Sequence, residues 1–302
     1  MGYKEKKNKS KFLLISSVVL AMGLGLSTAA MSINNEIFNL KLEHKGEVNE
    51  NEKILEGFNN FKVDKNVSKV IYGKSGLGRD LYFYKIGNGY KSLIVNFAIH
   101  GFEDAWSRDG YELTKISEYI IHRLSREYEG LNVKEWSIYI IPSSNPDGLL
   151  DGYTNNGPGR CQITHKVDLN RNFPTEFEVN KNHRNFNGEE PLSVPESKAL
   201  ANLVFNINKE SSKVILLDVH GWLNETIGDV EIGKYFDIEF GFKNRELNDD
   251  FKGYLVAYAK ALGAKVSLIE LPKPNNKEEI EHENYKEKLY NGIVALLKDY
   301  DR

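Results

Sequence analysis

The sequence predicts an α/β protein built on a central mixed, mainly parallel sheet with helices on both faces. Three observations carry this. Apolar runs of strand length at 92–99, 213–219 and 265–271 show little of the polar alternation of a half-exposed strand, so they read as strands buried on both sides. Between them lie longer segments whose apolar residues recur at helical spacing. Strands alternating with helices are the pattern that gives a largely parallel sheet covered on both faces.

The elements follow in order. Folded order is expected to begin near Val70-Ile71-Tyr72, followed by a glycine-punctuated turn over 73–79 and a strand over 80–86, which together make a hairpin at one sheet edge. That turn joins strand to strand and lacks the GxxxxGK[ST] spacing, so it is structural rather than a phosphate loop. From Ser107 to about Tyr128, Leu113, Ile116, Ile120, Ile121 and Leu124 mark an amphipathic helix that ends before Gly130. Residues 136–141 form another strand, stopped by consecutive turn formers over 142–148. Pro195 opens a helix to about Asn208. Further helices are expected from Asp250 to Leu262 and from Lys277 to Lys298, with the strands 213–219 and 265–271 in between.

Composition sets the outer bounds. With 302 residues, 40% of them hydrophobic and 11% aromatic, the chain can bury one large core. The net charge is −3; the first thirty residues carry five lysines against one glutamate, and without that +4 the remainder stands at about −7. Such a surface excludes nucleic acid as a partner. Cys161 is the sole cysteine, so no internal disulfide can form and packing must hold the fold.

The amino terminus bears on location. Residues 1–11 are basic, 12–26 are apolar and 27–30 are small, the layout of a secretory signal. Export to the outside or the cell surface is expected. Extended to residue 30, the apolar stretch reaches about the lower limit for crossing a bilayer, which leaves a retained membrane anchor through residues 12–30 as the alternative. No cysteine follows it, which excludes lipoprotein processing. Residues 31–66, rich in Asn, Glu and Lys, are expected to be a linker, with the folded domain spanning 67–302.

Four islands carry the chemistry: His100-Gly101-Phe102-Glu103, Asp168-Leu169-Asn170-Arg171-Asn172-Phe173, Asp218-Val219-His220 and Ile269-Glu270-Leu271. Two imidazoles and a carboxylate can hold one Zn²⁺ with a fourth position left for water, as a catalytic zinc requires, and a further carboxylate can act as base. His100 and His220 both follow strand runs, and open α/β sheets bind ligands at strand C-termini.

His100-x-x-Glu103, Asn145-Pro146-Asp147-Gly148, the Asp168–Phe173 run, His220 after a strand and Glu270 near the C-terminus resemble the carboxypeptidase A-type zinc carboxypeptidases in order and spacing. Gly73-x-Ser75-x-x-Gly78-Arg79 also looks like that family's N-terminal signature, and the likeness runs from about residue 68 to 300. HxxE alone is weak evidence; five motifs in order are not. The resemblance implies the zinc carboxypeptidase-like fold. It also implies one zinc ion on His100, Glu103 and His220, Asp168 as hydrogen-bond acceptor for a ligand imidazole, and Glu270 as the base. By the same resemblance Asn170 and Arg171 would grip a substrate carboxylate, and Arg160 would stabilise the developing oxyanion.

One departure stands out. The family's mobile tyrosine would fall at Asn248, so Tyr254 and Tyr235 are the nearest substitutes, with Tyr254 the candidate for substrate contact and helix packing its competing role. Residues 31–66 are also too few for a folded inhibitory pro-domain. His44, His122, His165, His183 and His282 are expected at the surface, Asp147 is expected to shape its turn, and Cys161 has no basic partner in sequence to make it a reactive thiol.

Substrate is the least determined property. The likeness is greatest to bacterial γ-D-glutamyl-meso-diaminopimelate peptidases, which implies a peptidoglycan stem peptide as partner, with Arg171 on a diaminopimelate carboxylate and an acid such as Asp229 or Glu231 on its amine. The alternatives are a broad extracellular metallocarboxypeptidase, a zinc deacylase of the aspartoacylase type, and a wall-binding protein without turnover.

Overall fold

In a computed structural model of the chain, residues 67–300 are described; the expected export segment, anchor and linker within residues 1–66 lie outside them. The fold is one mixed sheet of eight strands in the order β1-β2-β4-β3-β6-β9-β7-β8. In chain order the elements are β1 (Val67–Lys74), β2 (Asp80–Ile86), β3 (Lys91–Phe97), α1 (Gly110–Leu131), β4 (Trp136–Ile141), α2 (Pro146–Asp151) and β5 (Thr154–Cys161). There follow α3 (Pro195–Glu210), β6 (Lys213–Gly221), β7 (Glu225–Gly228), α4 (Val230–Phe240), β8 (Lys243–Arg245), α5 (Leu255–Ala261), β9 (Lys265–Leu271), α6 (Lys277–His282) and α7 (Tyr285–Asp299).

The centre, β4-β3-β6-β9, is parallel throughout. Beyond it β2 joins β4, and β7 joins β9, in antiparallel register. Alternate residues of the buried strands feed two cores. Leu93, Val95 and Phe97 of β3 pack with Leu113, Ile120 and Leu124 of α1 and with Ile293 and Leu296 of α7. On the opposite face Ile94 and Leu216 meet Leu200 and Val204 of α3 and Leu255 and Val256 of α5. Both faces are therefore covered, which explains the near-continuous apolar runs of the central strands. Among the described residues no helix is long and apolar enough to cross a membrane.

The edge hairpin, α3 and the strands 213–219 and 265–271 stand where the sequence predicts them; α1, expected to end before Gly130, runs through it to Leu131 and stops at Asn132 with φ 56. Other expectations need correction. The helix expected over 250–262 is a short 3-10 turn, Asp249–Phe251, followed by α5; between them Gly253 has φ +71, which a helix cannot continue through. The last helix is likewise two, divided at Asn284 with φ 53. Residues 154–161, which no sequence signal marked as a strand, form β5, which lies outside the eight-stranded sheet. Between β6 and α5 the chain adds β7, α4 and β8, which the sequence did not announce.

Two motifs that looked independent in sequence are one structure. Asp147, fully buried, accepts hydrogen bonds from Ser75 Oγ (2.9 Å), Leu77 N (2.8 Å) and Arg79 Nη1 (2.8 Å), tying the 73–79 turn to the Asn-Pro-Asp-Gly turn. Asp147 thus shapes more than its own turn. Asn145 caps α2 through Gly148 N and donates to the carbonyl of Arg160 (3.1 Å), so the same turn also fixes β5.

Candidate metal centre

The even-numbered residues at the C-terminal ends of the parallel strands share one face. In register across the sheet, Asn96 faces Asp218, which faces Leu268, and one step further His220 faces Glu270. His100 comes three residues after β3, in the loop that leads to α1. Gly101 in that loop packs so closely that a Cβ there would lie 2.4 Å from Leu149 N; only glycine fits against the following turn.

His100, Glu103 and His220 are all buried, and one ligand atom from each lies within 4.8 Å of the others. The imidazoles are oriented alike. His100 turns Nδ1 to Glu103 Oε2 (3.1 Å) and Nε2 to Asp168 Oδ1 (3.0 Å); His220 turns Nδ1 to Glu103 Oε1 (3.1 Å) and Nε2 to Asp218 Oδ2 (3.0 Å). With the Nε2 proton directed at the carboxylate behind each ring, both Nδ1 atoms would present lone pairs to the cluster centre, the arrangement that metal-ligating histidines adopt. Burial opposes charge on His220, yet the carboxylates of Asp218 and Glu103 outweigh it and hold its proton well above the ordinary histidine range. Burial would likewise raise Glu103, but His100 and His220 draw it well below the usual carboxylate range. The three side chains form a pocket built to enclose positive charge, and a hard or borderline divalent cation fits that donor set.

Protein atoms also fasten the ligand-bearing loops to one another. Asp109 accepts hydrogen bonds from Glu103 N (2.5 Å), Ala105 N (2.8 Å) and the indole Nε1 of Trp222 (2.8 Å), so the loop after β3 is held to the end of β6.

Beside the cluster opens a cleft of about 260 Å³. Glu270 lines it, 8% exposed, with Oε2 unpaired. Burial raises its carboxyl to about 7, against the pull of His220; Glu103 adds to the rise. A carboxylate with that pKa can take a proton and give it back near neutral pH.

The other predicted residues gather here too. Arg160, buried, places Nη1 3.5 Å from Glu103 Oε2 and Nε 3.5 Å from Asp168 Oδ2. Asp168 would be raised by burial, but His100, Arg171 and Arg160 hold it well below the usual carboxylate range. Arg171 lies over the ring of Tyr254, 3.7 Å from its centroid, and Gly253 allows that approach, since a Cβ there would meet the carbonyl of Arg171 at 2.3 Å. Asn170 lines the cleft, but its amide is engaged inside the protein. Its Oδ1 accepts from Leu255 N (2.9 Å), and its Nδ2 lies 3.4 Å from Asp218 Oδ2 and 3.1 Å from His220 Nε2. It therefore braces α5 and the Asp218 carboxylate behind His220 while its side chain also lines the cleft.

Tyr254 faces the cleft; Tyr235, the other substitute, is buried in the core against α7 and has no access to it. Tyr254 also packs on the second core, edge-on to Phe251 at 4.8 Å, and Tyr258 stacks on Phe173 at 5.7 Å. Asp229 and Glu231 do not line the cleft: Asp229 accepts from Val266 N (2.9 Å) and pairs with Lys260 (3.2 Å), and Glu231 pairs with Lys265 (2.7 Å). Burial pushes the Cys161 thiol up, which makes it inert. Three residues were missed. Asp218 could have been found, since on a strand it must share the face of His220 two positions on. Arg184 and Arg245, which also line the cleft, sit in segments without periodicity and gave no signal.

A carboxylate-backed pair of imidazoles and a third acidic ligand, set at the C-terminal ends of parallel strands with a raised-pKa glutamate alongside, is the donor set and setting of a catalytic zinc site. The chain belongs to the zinc carboxypeptidase family, whose model matches residues 59–227 and so includes all three candidate ligands but not Glu270. His100, Glu103 and His220 supply the donor set for a zinc ion of the kind that names the family. In sequence it is 44% identical over 234 residues to bacteriocin BCN5 of Clostridium perfringens, covering 77% of this chain and 26% of that protein. It is 27% identical over 198 residues to the uncharacterized protein YqgT of Bacillus subtilis, covering 51% of each. The chain thus spans about a quarter and about half of those relatives. In fold it is similar to carboxypeptidase A from Helicoverpa armigera (TM-score 0.62, 18% identity, 78% of this chain and 70% of that one). It is also similar to murein-tripeptide amidase MpaA from Escherichia coli O157 (TM-score 0.53, 20% identity, 76% and 92%).

Proposed function

We propose that this metallopeptidase hydrolyses the γ-D-glutamyl bond to diaminopimelate in cell-wall stem peptides, acting after export through residues 1–30, with 67–302 as its catalytic domain. The observation that carries this reading is the cleft's cationic lining: Arg160, Arg171, Arg184 and Arg245 line the same cleft as Glu270. A γ-linked glutamate keeps its α-carboxylate, and diaminopimelate adds a carboxylate at the far end of its side chain, so this substrate offers several anions where an ordinary peptide offers one. The likeness to a protein named murein-tripeptide amidase, and to a segment of a bacteriocin, is in keeping with a target in the bacterial wall.

In this mechanism His100, Glu103 and His220 hold the zinc, which when bound supplies Lewis acidity and an acidified water. Asp168 and Asp218 keep both imidazoles in the tautomer that ligates. Glu270 accepts a proton at its unpaired Oε2 and returns it to the leaving amine. Arg160, whose Nε has no hydrogen-bond partner, places a fixed cation where negative charge develops; a single donor of this kind is worth about 3 kcal/mol. Arg171, flattened on Tyr254, presents a planar fork to a substrate carboxylate.

The test is mass spectrometry of purified muropeptides after incubation with the protein, with and without a chelator. A new amine on diaminopimelate that disappears with the chelator is expected. Intact stem peptides alongside release of C-terminal residues from ordinary peptides would favour the broad carboxypeptidase instead. Stoichiometric zinc without turnover on any substrate would favour a binding protein.

A further inference from the structure

We infer that Arg245 is a specificity-determining residue that reads a carboxylate at the far end of the substrate side chain. This rests on the peptidase reading above and concerns a part of the cleft with no role in the chemistry itself. From Glu270 the cleft runs outward across the antiparallel edge of the sheet. In register, Leu268 of β9 faces Ile227 of β7, and Ile227 faces Arg245 of β8. Neighbouring strands lie about 4.8 Å apart, so the Arg245 backbone stands about 10 Å from that of β9. The floor between is apolar: Ile227 and Leu268 are buried there, and the ring of Phe251 lies 5.2 Å from the Arg245 guanidinium.

At the end of this trough the guanidinium is oriented on one side and open on the other. Its Nε and Nη2 donate to Glu225 Oε2 and Oε1, both at 2.9 Å, which fixes the plane of the fork. Nη1 makes no hydrogen bond to the described residues, and the side chain is 44% exposed. A half-exposed ion pair of this kind adds little to stability, so the fold does not explain why an arginine is held here. An apolar trough closed by a preoriented fork matches a side chain of several methylenes ending in a carboxylate, as in diaminopimelate. Glu225 is the positioning residue for that fork.

The experiment compares γ-glutamyl peptides in which the residue on the amine side of the cut bond is 2-aminopimelate or its ω-amide. The wild-type protein should prefer the acid at least tenfold in kcat/KM. In Arg245→Met that ratio should fall at least tenfold, through KM, and Arg245→Lys should keep part of it, because charge survives while the fork is lost. No preference in the wild type, or the same ratio in both variants, overturns the inference. If the protein cuts neither peptide, the functional reading fails separately, and titration of the zinc-loaded protein with the same two peptides still decides. Tighter binding of the acid by at least tenfold, lost in Arg245→Met, upholds the role of Arg245, and equal binding refutes it.

Discussion

The parallel centre of the sheet and the edge beyond β9 are built on opposite plans. Every residue of β3 is buried, as is nearly every residue of β6, and His100 after β3 and His220 at the end of β6 are held by carboxylates that are themselves buried. β8 has three residues and none buried, yet it carries the arginine that closes the substrate trough. The metal site is thus part of the core, where any shift disturbs packing on both faces. Substrate choice is set by edge residues whose replacement leaves that packing intact. One scaffold can keep its chemistry while its selectivity changes.

Changes in the centre should have the largest effects. His220→Ala should lose stoichiometric zinc, measured by metal analysis of the purified protein, and about a thousandfold or more in activity, since metal assistance is worth several kcal/mol. Retained zinc with normal turnover would mean that the ligands lie elsewhere. Glu270→Gln should keep its zinc yet lose at least about a hundredfold in rate, the usual weight of general-base catalysis. Because Glu270 works as the carboxylate, rates fall as pH drops through its pKa. In the protein alone burial sets that at about 7, and a zinc cation alongside draws it lower. An acid limb centred above 7 in the pH–rate profile, or none, contradicts its role as base.

Asp218→Asn acts behind the first ligands and should weaken metal affinity by about 10- to 100-fold in competition with a chelator, leaving the loaded enzyme nearer to normal. At the rim, Tyr254→Leu removes only the ring beneath Arg171. Cation–π contacts are worth about 0.5–2 kcal/mol, so KM should rise by roughly 3- to 30-fold while Tyr254→Phe stays close to wild type. A large fall in kcat for the phenylalanine variant would instead give the hydroxyl a part in the reaction. An edge variant that stripped the zinc, or a centre variant that changed only substrate preference, would break the contrast between the two regions.

The same contrast governs what the sequence could disclose. His100, His220 and Glu270 were legible because each stands at or just after the end of an apolar run that could only be a buried strand. Their supporting acids were half legible: Asp168 came with a motif, while Asp218 is separated from His220 by one residue and was passed over. Residues 221–253 were not legible. β7 and β8 are four and three residues long, too short to show a period, and Arg245 sits in a segment without periodicity. The breaks at Gly253 and Asn284 depend on single left-handed residues within patterns that otherwise continue a helix.

The carboxylate of Asp109 joins the two ligand loops through hydrogen bonds to Glu103 N and to the Trp222 indole. That fastening runs between protein groups and does not pass through the ligand atoms. Chelated protein should keep its tertiary signature and recover as quickly as the ion can diffuse back in, and shortage of metal would silence such a molecule without marking it for destruction.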